Sequence, residues 1–265
     1  MLIVWLFHGF LAVYALTTTE LPAKKITKPK EKFEIVNVTL YYESLCPFSR
    51  AFIMNQLSPV YNTLKPRMSF HLVPYGLTKR KKKQGHWVFM CQHGQEECNM
   101  DVISGCAVEI YEASDPDKLM DFIVCLEDHL YSTTALNSTI ICAKNEPILL
   151  KQLAYCFADP EEMMLNFARK TENVKPEIRA LPAIQINEDY IISDQRYIRR
   201  NLYGKVCDLL GICPTMLTTP RPQLPFLTQL VYNTKLENTS LPPSESMKPF
   251  QGEAKSFLDM LLEQT

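Results

Sequence analysis

With 265 residues, the chain is long enough for one domain with an insertion or for two small domains. Its 28 basic and 29 acidic residues leave a formal net charge of −1, which excludes a general attraction to nucleic acid. We therefore expect no nucleic-acid partner.

The N-terminal segment has the pattern of a secretory signal. Residues 2–16 form an apolar run, and Val13 and Ala15 fit the small-residue rule for cleavage, which predicts a signal peptide at residues 1–15. The run is shorter than the ~20 residues that a membrane span needs, so we expect no span. An uncleaved signal anchor is the alternative. Residues 16–32 are polar and lysine-rich and are predicted to be a disordered leader.

A strand followed directly by a cysteine organises the next part of the chain. Val38, Leu40 and Tyr42 alternate with a period of two, which predicts a buried strand that ends at Glu43 and Ser44. Cys46 then stands before a predicted helix, with Pro47 at its first position, where a missing N–H costs nothing. The positive end of that helix favours a thiolate and makes Cys46 a candidate nucleophile, with Pro47 beside the substrate.

The motif reads Cys-Pro-Phe-Ser, so Ser49 stands where a dithiol oxidoreductase carries its second cysteine. A serine hydroxyl can hydrogen-bond a thiolate, but it cannot form the intramolecular disulfide that releases product. Any chemistry at Cys46 must therefore proceed without a resolving cysteine at this position.

Residues 68–75 alternate again and predict a second strand. The order strand, helix, strand implies a parallel pair, as at the opening of a thioredoxin-like α/β domain. The five basic residues from Lys79 to Lys83 predict a solvated loop, because five consecutive charges cannot be buried. A patch for anionic glycan or membrane, or a processing site, is the alternative.

From about residue 85 to 175, helical patterns replace the strands, and six cysteines fall in this segment. We interpret it as a helical insertion held by disulfides, since short helices depend on packing or cross-links. Asp115-Pro116, Asn137-Ser138 and Asp159-Pro160 are predicted breaks or caps between helices. The predicted helices cover Val102 to Tyr111, Lys118 to Leu130, Ile148 to Cys156 and Glu161 to Lys170.

The sheet is predicted to resume as a hairpin, with strands at residues 181–186 and 190–192 around a polar turn. Pro182 enters the first strand where proline is tolerated. In thioredoxin-like folds a cis-proline here faces the reactive cysteine and aligns the substrate chain, so we expect a cis bond and a substrate-binding role. Ser193 and Asp194 are predicted to cap one helix that ends near Leu209.

Removing Cys46 leaves an even number of cysteines, as a disulfide framework plus one reactive thiol would give. The sequence leaves their connectivity open, although Cys207 and Cys213 could close a small loop. Three Asn-X-Ser/Thr acceptors, Asn37, Asn137 and Asn238, agree with a secretory route. The tail 214–265 is Pro-rich and predicted to be largely disordered. The eight disulfide candidates are Cys91, Cys98, Cys106, Cys125, Cys142, Cys156, Cys207 and Cys213.

The stretch at residues 91–98, with Cys106, carries a family resemblance. It is similar to the signature of the gamma-interferon-inducible lysosomal thiol reductase (GILT) family, Cys-Gln-His-Gly, two residues, Glu-Cys, two residues, Asn, four residues, Cys. The exception is Asp101, where the family has asparagine. The stretches Tyr-Glu-Ser-Leu-Cys-Pro, Leu-Val-Pro-Tyr-Gly and Leu-Pro-Ala-Ile also resemble the family, and the resemblance covers roughly residues 33–213.

The resemblance implies a soluble, glycosylated enzyme of the endocytic route that reduces protein disulfides at acidic pH with a Cys-X-X-Cys pair. Cys46 would be its attacking cysteine and Ser49 the place of its resolving one. Zinc held by Cys91, His93 and Cys98 is an alternative that we disfavour, because a secretory compartment favours disulfides. His93 is expected to be structural, and neither a metal nor a cofactor is expected.

Two functions remain open. In the first, Cys46 attacks a protein disulfide and an external thiol such as glutathione or cysteine resolves the adduct. In the second, the chain is a redox-impaired thioredoxin-like binding protein that keeps the fold without reductase turnover. We favour the first, because Cys46 with Pro47 keeps the pattern of a nucleophile, which pure binding does not require. A decayed copy is disfavoured by the intact framework. We expect a monomer, secreted or in lysosomes or endosomes.

Overall fold

The computed structural model describes residues 33–211. The predicted signal peptide, leader and Pro-rich tail, and with them Cys213 and Asn238, lie outside the described residues. Within them the chain is a mixed α/β structure, mostly helical, with two small sheets.

The central sheet has three strands in the order β2-β1-β5. Strand β1 (Val36–Tyr42) pairs in parallel with β2 (Met68–Pro74) and antiparallel with β5 (Ala183–Ile186). The parallel pair and the first two strands were predicted, and both are confirmed. Strand β1 forms here because its β-branched and aromatic residues are covered on both faces, including Val38, Leu40 and Tyr41.

A helical segment connects β1 to β2. It comprises α1 (Pro47–Phe52), a π-helical turn (Ile53–Leu57) and α2 (Ser58–Leu64). Its apolar side chains, among them Phe52 and Ile53, are buried in the core. The predicted helix after Cys46 is thus confirmed, and it starts at Pro47 as expected.

The prediction of a loop at Lys79–Lys83 is wrong, because these residues form strand β3. It pairs antiparallel with β4 (His86–Met90) through a two-residue turn at Gln84 and Gly85, both with positive φ. Such turns match the twist of a hairpin. The basic side chains remain solvated, as expected, since a hairpin exposes them as well as a loop would.

Five helices fill the part of the chain between β4 and β5. The predicted helices are present with somewhat different ends, but the predicted break at Asn137-Ser138 is wrong. These residues lie in α5, which Thr134 caps by accepting a hydrogen bond from Asn137 N, so Asn137 follows a cap instead of ending a helix. The helices are α3 (Gln95–Tyr111), α4 (Pro116–His129), α5 (Ala135–Ala143), α6 (Pro147–Ala158) and α7 (Glu161–Glu172).

Three disulfides tie these helices together. Cys106–Cys156 joins α3 to α6, Cys125–Cys142 joins α4 to α5, and Cys91–Cys98 closes the entry into α3. Cys207 is also disulfide-bonded, and Cys213, the partner we expected for it, lies outside the described residues.

Of the predicted hairpin, the first strand and the turn are present, but the second strand is not. Asn187 and Glu188 form a turn with positive φ, but residues 190–192 do not continue as a strand. Beyond a single bridge the chain turns into α8 (Ile192–Ile198), whose N-cap is Ile191, so Ser193 and Asp194 lie inside the helix and do not cap it. A separate helix, α9 (Leu202–Leu210), follows because Asn201 caps a new start. No helix within residues 33–211 has the length and apolar character needed to cross a membrane.

Candidate functional site

Cys46 sits between β1 and α1 as the N-cap of the helix. Its backbone is extended (φ −71°, ψ 117°), Pro47 follows at the first helical position, and the side chain makes no capping hydrogen bond. The residue is 8 % exposed. It is the unpaired cysteine of the described residues. The sulfur therefore lies at a helix start, nearly covered by its surroundings.

Ser49 is on the first turn of α1 and is completely buried. Its Oγ has no hydrogen-bond partner within the described part of the chain, so it does not bond to the Cys46 sulfur. The hydrogen bond that a serine could offer at this position is absent. Phe48, between the two, is 72 % exposed and was not singled out from the sequence. It gives the site an apolar surface that solvent reaches.

Pro182 lies at the same end of the sheet as Cys46. Its neighbour Ala183 pairs with Tyr41 near the end of β1, a few residues before Cys46, and the Leu181–Pro182 peptide bond is cis, as predicted. The register of two antiparallel strands thus brings together residues that are far apart in sequence.

Arg199, at the end of α8, binds the chain on either side of the Leu181–Pro182 bond. Its Nε donates to Pro182 O at 2.6 Å and its Nη2 to Ala180 O at 3.0 Å. Burial lowers the pKa of Arg199, and electrostatic interactions with Tyr190 and Cys46 oppose that shift. Sequence reasoning missed this residue, since nothing distinguishes it from its basic neighbours. Arg50, the basic residue that the sequence placed nearest Cys46, donates instead to Glu127 O at 2.7 Å.

A cluster of buried carboxyl groups lies beneath the loop that carries Cys46. Asp101 Oδ1 accepts hydrogen bonds from Ser44 N (2.8 Å) and Ser44 Oγ (2.7 Å), which ties this loop to α3. Glu43 Oε1 accepts from Leu77 N at 2.8 Å. Glu43 and Asp101 are both fully buried, and so is Glu97. Glu97 and Asp101 belong to the sequence motif at residues 91–106, but the sequence did not predict that they lie close to Glu43.

His93 completes this carboxyl cluster. Glu97 accepts from His93 N (2.9 Å) and lies 2.5 Å from His93 Nδ1, while Glu43 Oε2 is 3.9 Å from the same nitrogen. Because Glu97 reaches back to the chain just before α3, the pair resembles a helix cap. These contacts agree with the expectation that His93 is a structural or capping residue.

Burial shifts the ionisation of the cluster toward the neutral carboxyl. Burial, then the charge of Glu97, raise the pKa of Glu43 to about 7, with opposition from the Leu77 hydrogen bond and His93. Burial and Glu97 also raise the pKa of Asp101 well above its usual range, against the two hydrogen bonds from Ser44. The hydrogen bond to Glu97 raises the pKa of His93. Acidic pH therefore favours the neutral forms of Glu43 and Asp101.

Within residues 33–211, two groups of side chains have the proximity of metal ligands. Cys125 and Cys142 lie near His129, but their sulfurs are bonded to each other. Glu43, His93 and Glu97 converge within 4.8 Å, and there His93 Nδ1 contacts Glu97 Oε2 at 2.5 Å. The alternative of zinc at Cys91, His93 and Cys98 is wrong, because Cys91 and Cys98 form a disulfide.

Both described glycosylation candidates are exposed. Asn37 lies on β1, where its side chain contacts Ser69, and Asn137 lies in the first turn of α5. Asn238 is outside the described residues, and glycosylation at the three acceptors stays a prediction.

The fold and this site define a disulfide-braced α/β protein with an unpaired cysteine at a helix start. Residues 37–146 match the family model described as gamma interferon inducible lysosomal thiol reductase (GILT). A relative from Carassius auratus, gamma-interferon-inducible lysosomal thiol reductase, is 31 % identical over 187 residues, 66 % of this chain and 68 % of that protein. The gamma-interferon-responsive lysosomal thiol protein of Arabidopsis thaliana is 27 % identical over 213 residues, 77 % of this chain and 86 % of that protein. The chain belongs to the GILT family.

Proposed function

We propose that the protein is a thiol-disulfide oxidoreductase with a thioredoxin-like core that uses Cys46 alone. The observation that carries this proposal is the position of Cys46, the unpaired cysteine of the described residues, at the N-terminus of α1. The parallel β1–helix–β2 unit, with Pro182 at the same sheet end, supports a thioredoxin-like arrangement. The names of the relatives, which include thiol reductases, agree with this chemistry.

The reaction requires two stages. The Cys46 thiolate attacks one sulfur of a protein disulfide, so that a new S–S bond to Cys46 forms, the substrate S–S bond breaks, and the other substrate sulfur leaves as a thiol after protonation. A first external thiolate then attacks Cys46 Sγ and releases the substrate thiol, and a second frees Cys46. The two external thiols leave as their disulfide, which balances the two electrons given to the substrate.

External resolution follows from Ser49, because a hydroxyl cannot take the place of a second thiol. Glutathione or free cysteine would serve as the reductant. The rate should be lower than that of a dithiol enzyme, since a solution thiol lacks the effective concentration of an intramolecular group. Exposed Phe48 offers an apolar contact for the substrate, with Pro182 and Arg199 across the site.

We place this activity in the secretory and endocytic route, either in lysosomes or outside the cell. The three disulfides support an oxidising compartment. The exposed Asn37 and Asn137 support it as well. The domain we propose covers residues 33–213, with the helical insertion at about residues 85–175.

The test compares reduction of a fluorescent disulfide-linked peptide by wild type, Cys46→Ser and Ser49→Cys at about pH 4.5 and about pH 7, with glutathione or cysteine present. We expect thiol-dependent turnover that disappears in Cys46→Ser and rises at least ~10-fold in Ser49→Cys. Ser132→Cys, which adds an exposed thiol on the turn after α4, is the matched control and should not raise turnover.

The second candidate function is the redox-impaired binding protein. It is favoured by the low exposure of Cys46, which limits access of a substrate disulfide. Turnover only after Ser49→Cys would overturn the single-cysteine proposal and establish a competent scaffold that works by binding.

A further inference from the structure

The hairpin of β3 and β4 carries a row of lysines on one face. Lys79, Lys81 and Lys83 alternate with Arg80 and Lys82, so they project from the same side of the strand. We name this set the lysine row. Residues paired across antiparallel strands share a face. The partners of the lysine row on β4 are Met90, Val88 and His86.

The opposite face of the hairpin anchors it to the protein. Arg80 Nη1 lies 2.7 Å from Glu172 Oε1, and the guanidinium stands 5.5 Å above the Trp87 ring. Phe89, on the same face, is 2 % exposed and packs beside Tyr75. The face of the hairpin with Arg80, Trp87 and Phe89 is therefore packed against the protein, and the lysine row lies on the opposite, outer face.

The charges of the lysine row are not neutralised. Among residues 33–211, no acidic side chain forms an ion pair with Lys79, Lys81 or Lys83, and all three are exposed. Glu161 contacts this face next to the turn, where its Oε2 lies 3.4 Å from His86 Nδ1. Because the whole chain carries a net charge of −1, this is a local concentration of positive charge. An anionic partner would relieve its repulsion.

The shape of the row selects among anionic partners. Alternate residues of a strand are about 6.7 Å apart, so the three ammonium groups follow a line of roughly 13 Å. The tip of the hairpin, Gln84 and Gly85, has no apolar side chain to enter a bilayer, as an interfacial anchor would have. A line of charges on a fixed strand suits an extended chain of anionic groups better than a planar surface.

We propose that the lysine row is a binding site for a linear sulfated glycan. The sulfate groups would contact the ammonium groups of the row, and the half-buried Val88 and exposed Met90 would lie under the sugar rings. This site is independent of the chemistry at Cys46.

The experiment measures binding of the full-length protein to heparin oligosaccharides as a function of salt. The variant replaces Lys79, Lys81 and Lys83 by glutamine. At physiological salt we expect on the order of a 100-fold loss of affinity, about 5-fold per lysine. The slope of log K against log salt should also become shallower by about three charges' worth of counterion release.

The matched control replaces three other exposed lysines, Lys144, Lys151 and Lys175, by glutamine, which changes the net charge equally. Its affinity should stay within about 3-fold of wild type. Equal losses in both triple variants would overturn the proposal, and so would binding to phosphatidylserine vesicles without binding to heparin.

A measurement on wild type keeps the test valid if a variant misfolds. Acetylation of surface lysines is compared with and without the oligosaccharide. Protection of the lysine row with unchanged labelling of Lys144 supports the site, and uniform labelling overturns it. Reduction of the disulfide-linked peptide should be the same in wild type and both triple variants, so this proposal and the one for Cys46 can fail separately.

Discussion

Replacing Asp101 by asparagine tests the buried carboxyl cluster directly. Asp101 is fully buried, its Oδ1 accepts two hydrogen bonds from Ser44, and its Oδ2 has no partner within the described residues. Asparagine keeps the acceptor for Ser44 and replaces Oδ2 by an uncharged NH₂ group. It is also the residue that the family signature carries here, so the substitution preserves shape and removes only the titratable group.

The direction of the pH dependence follows from the pKa shifts. The pKa of Asp101 is raised by burial first and by Glu97 next, so the folded protein holds this proton more tightly than the unfolded chain. The resulting stabilisation is fully present below the unfolded-state pKa and is lost as pH rises toward the folded-state pKa. Glu43, with its pKa raised to about 7, acts in the same direction. Wild type should therefore lose stability between acidic and neutral pH.

The magnitude comes from the charge on the unpartnered oxygen, since an asparagine NH₂ group in its place would also lack a partner but carries no charge. A buried group left unsatisfied costs about 1–3 kcal/mol, and the cost is higher when the group is charged. At about pH 7.5, Asp101→Asn should raise the free energy of unfolding by this amount, which corresponds to a Tm higher by roughly 2–12 °C. At about pH 4.5 the gain should shrink below ~0.5 kcal/mol, because a protonated Asp101 and an asparagine offer similar donors.

The assay is thermal unfolding of the oxidised protein, followed by circular dichroism at both pH values. Asp121→Asn is the control, since Asp121 is exposed on α4 and the same chemical change there should leave Tm unaltered. An equal gain at both pH values would refute titration of Asp101 as the cause. The absence of any gain at about pH 7.5 would refute the cost assigned to its buried oxygen.

Three further predictions concern stability. Burial raises the pKa of Glu127 to about 8, and the charge of Arg50 opposes this shift. Wild type should therefore lose stability between about pH 5 and pH 8, and Glu127→Gln should reduce that loss by about 1–4 kcal/mol at the upper end. An unchanged pH dependence of the free energy of unfolding in urea would contradict this. Replacing both Cys125 and Cys142 by alanine removes a disulfide with a sequence separation of 17. The free energy of unfolding should fall by about 3 kcal/mol, and a fall below ~1 kcal/mol would contradict this stabilisation by the disulfide. Arg199→Gln should lower the free energy of unfolding by about 1–3 kcal/mol, because it removes donors to two backbone carbonyls before β5. Arg200→Gln, at an exposed position, is the control. An equal Tm for the two variants would show that the Arg199 contacts do not stabilise the fold.

Several features could be predicted because they depend on neighbours in sequence. The alternation of Val38, Leu40 and Tyr42 predicts β1, since side chains of a strand alternate between its faces. Pro47 predicts the helix start that follows Cys46 for an equally local reason. The cis bond at Pro182 was expected from the order of elements.

Errors arose where a distant partner overrides a local pattern. Lys79–Lys83 has the composition of a loop, but β4 supplies backbone hydrogen bonds and α7 supplies Glu172 as an ion-pair partner for Arg80. Residues 190–192 have the composition of a strand, but within residues 33–211 no strand pairs with them and the chain enters α8 instead. Strand propensity is a matter of packing against neighbours, which one sequence does not specify.

By itself the sequence determined that Cys46 stands at a helix start with Ser49 in place of a second thiol, because both facts depend on a few consecutive residues. Only the tertiary structure decided the pairing of six cysteines, the contact of Arg199 with the chain at Pro182, and the meeting of Glu43 with Glu97 and Asp101. These contacts join segments that are distant along the chain. They form only when burial of a common core brings those segments together, and buried polar groups such as Asp101 then find partners far away in sequence.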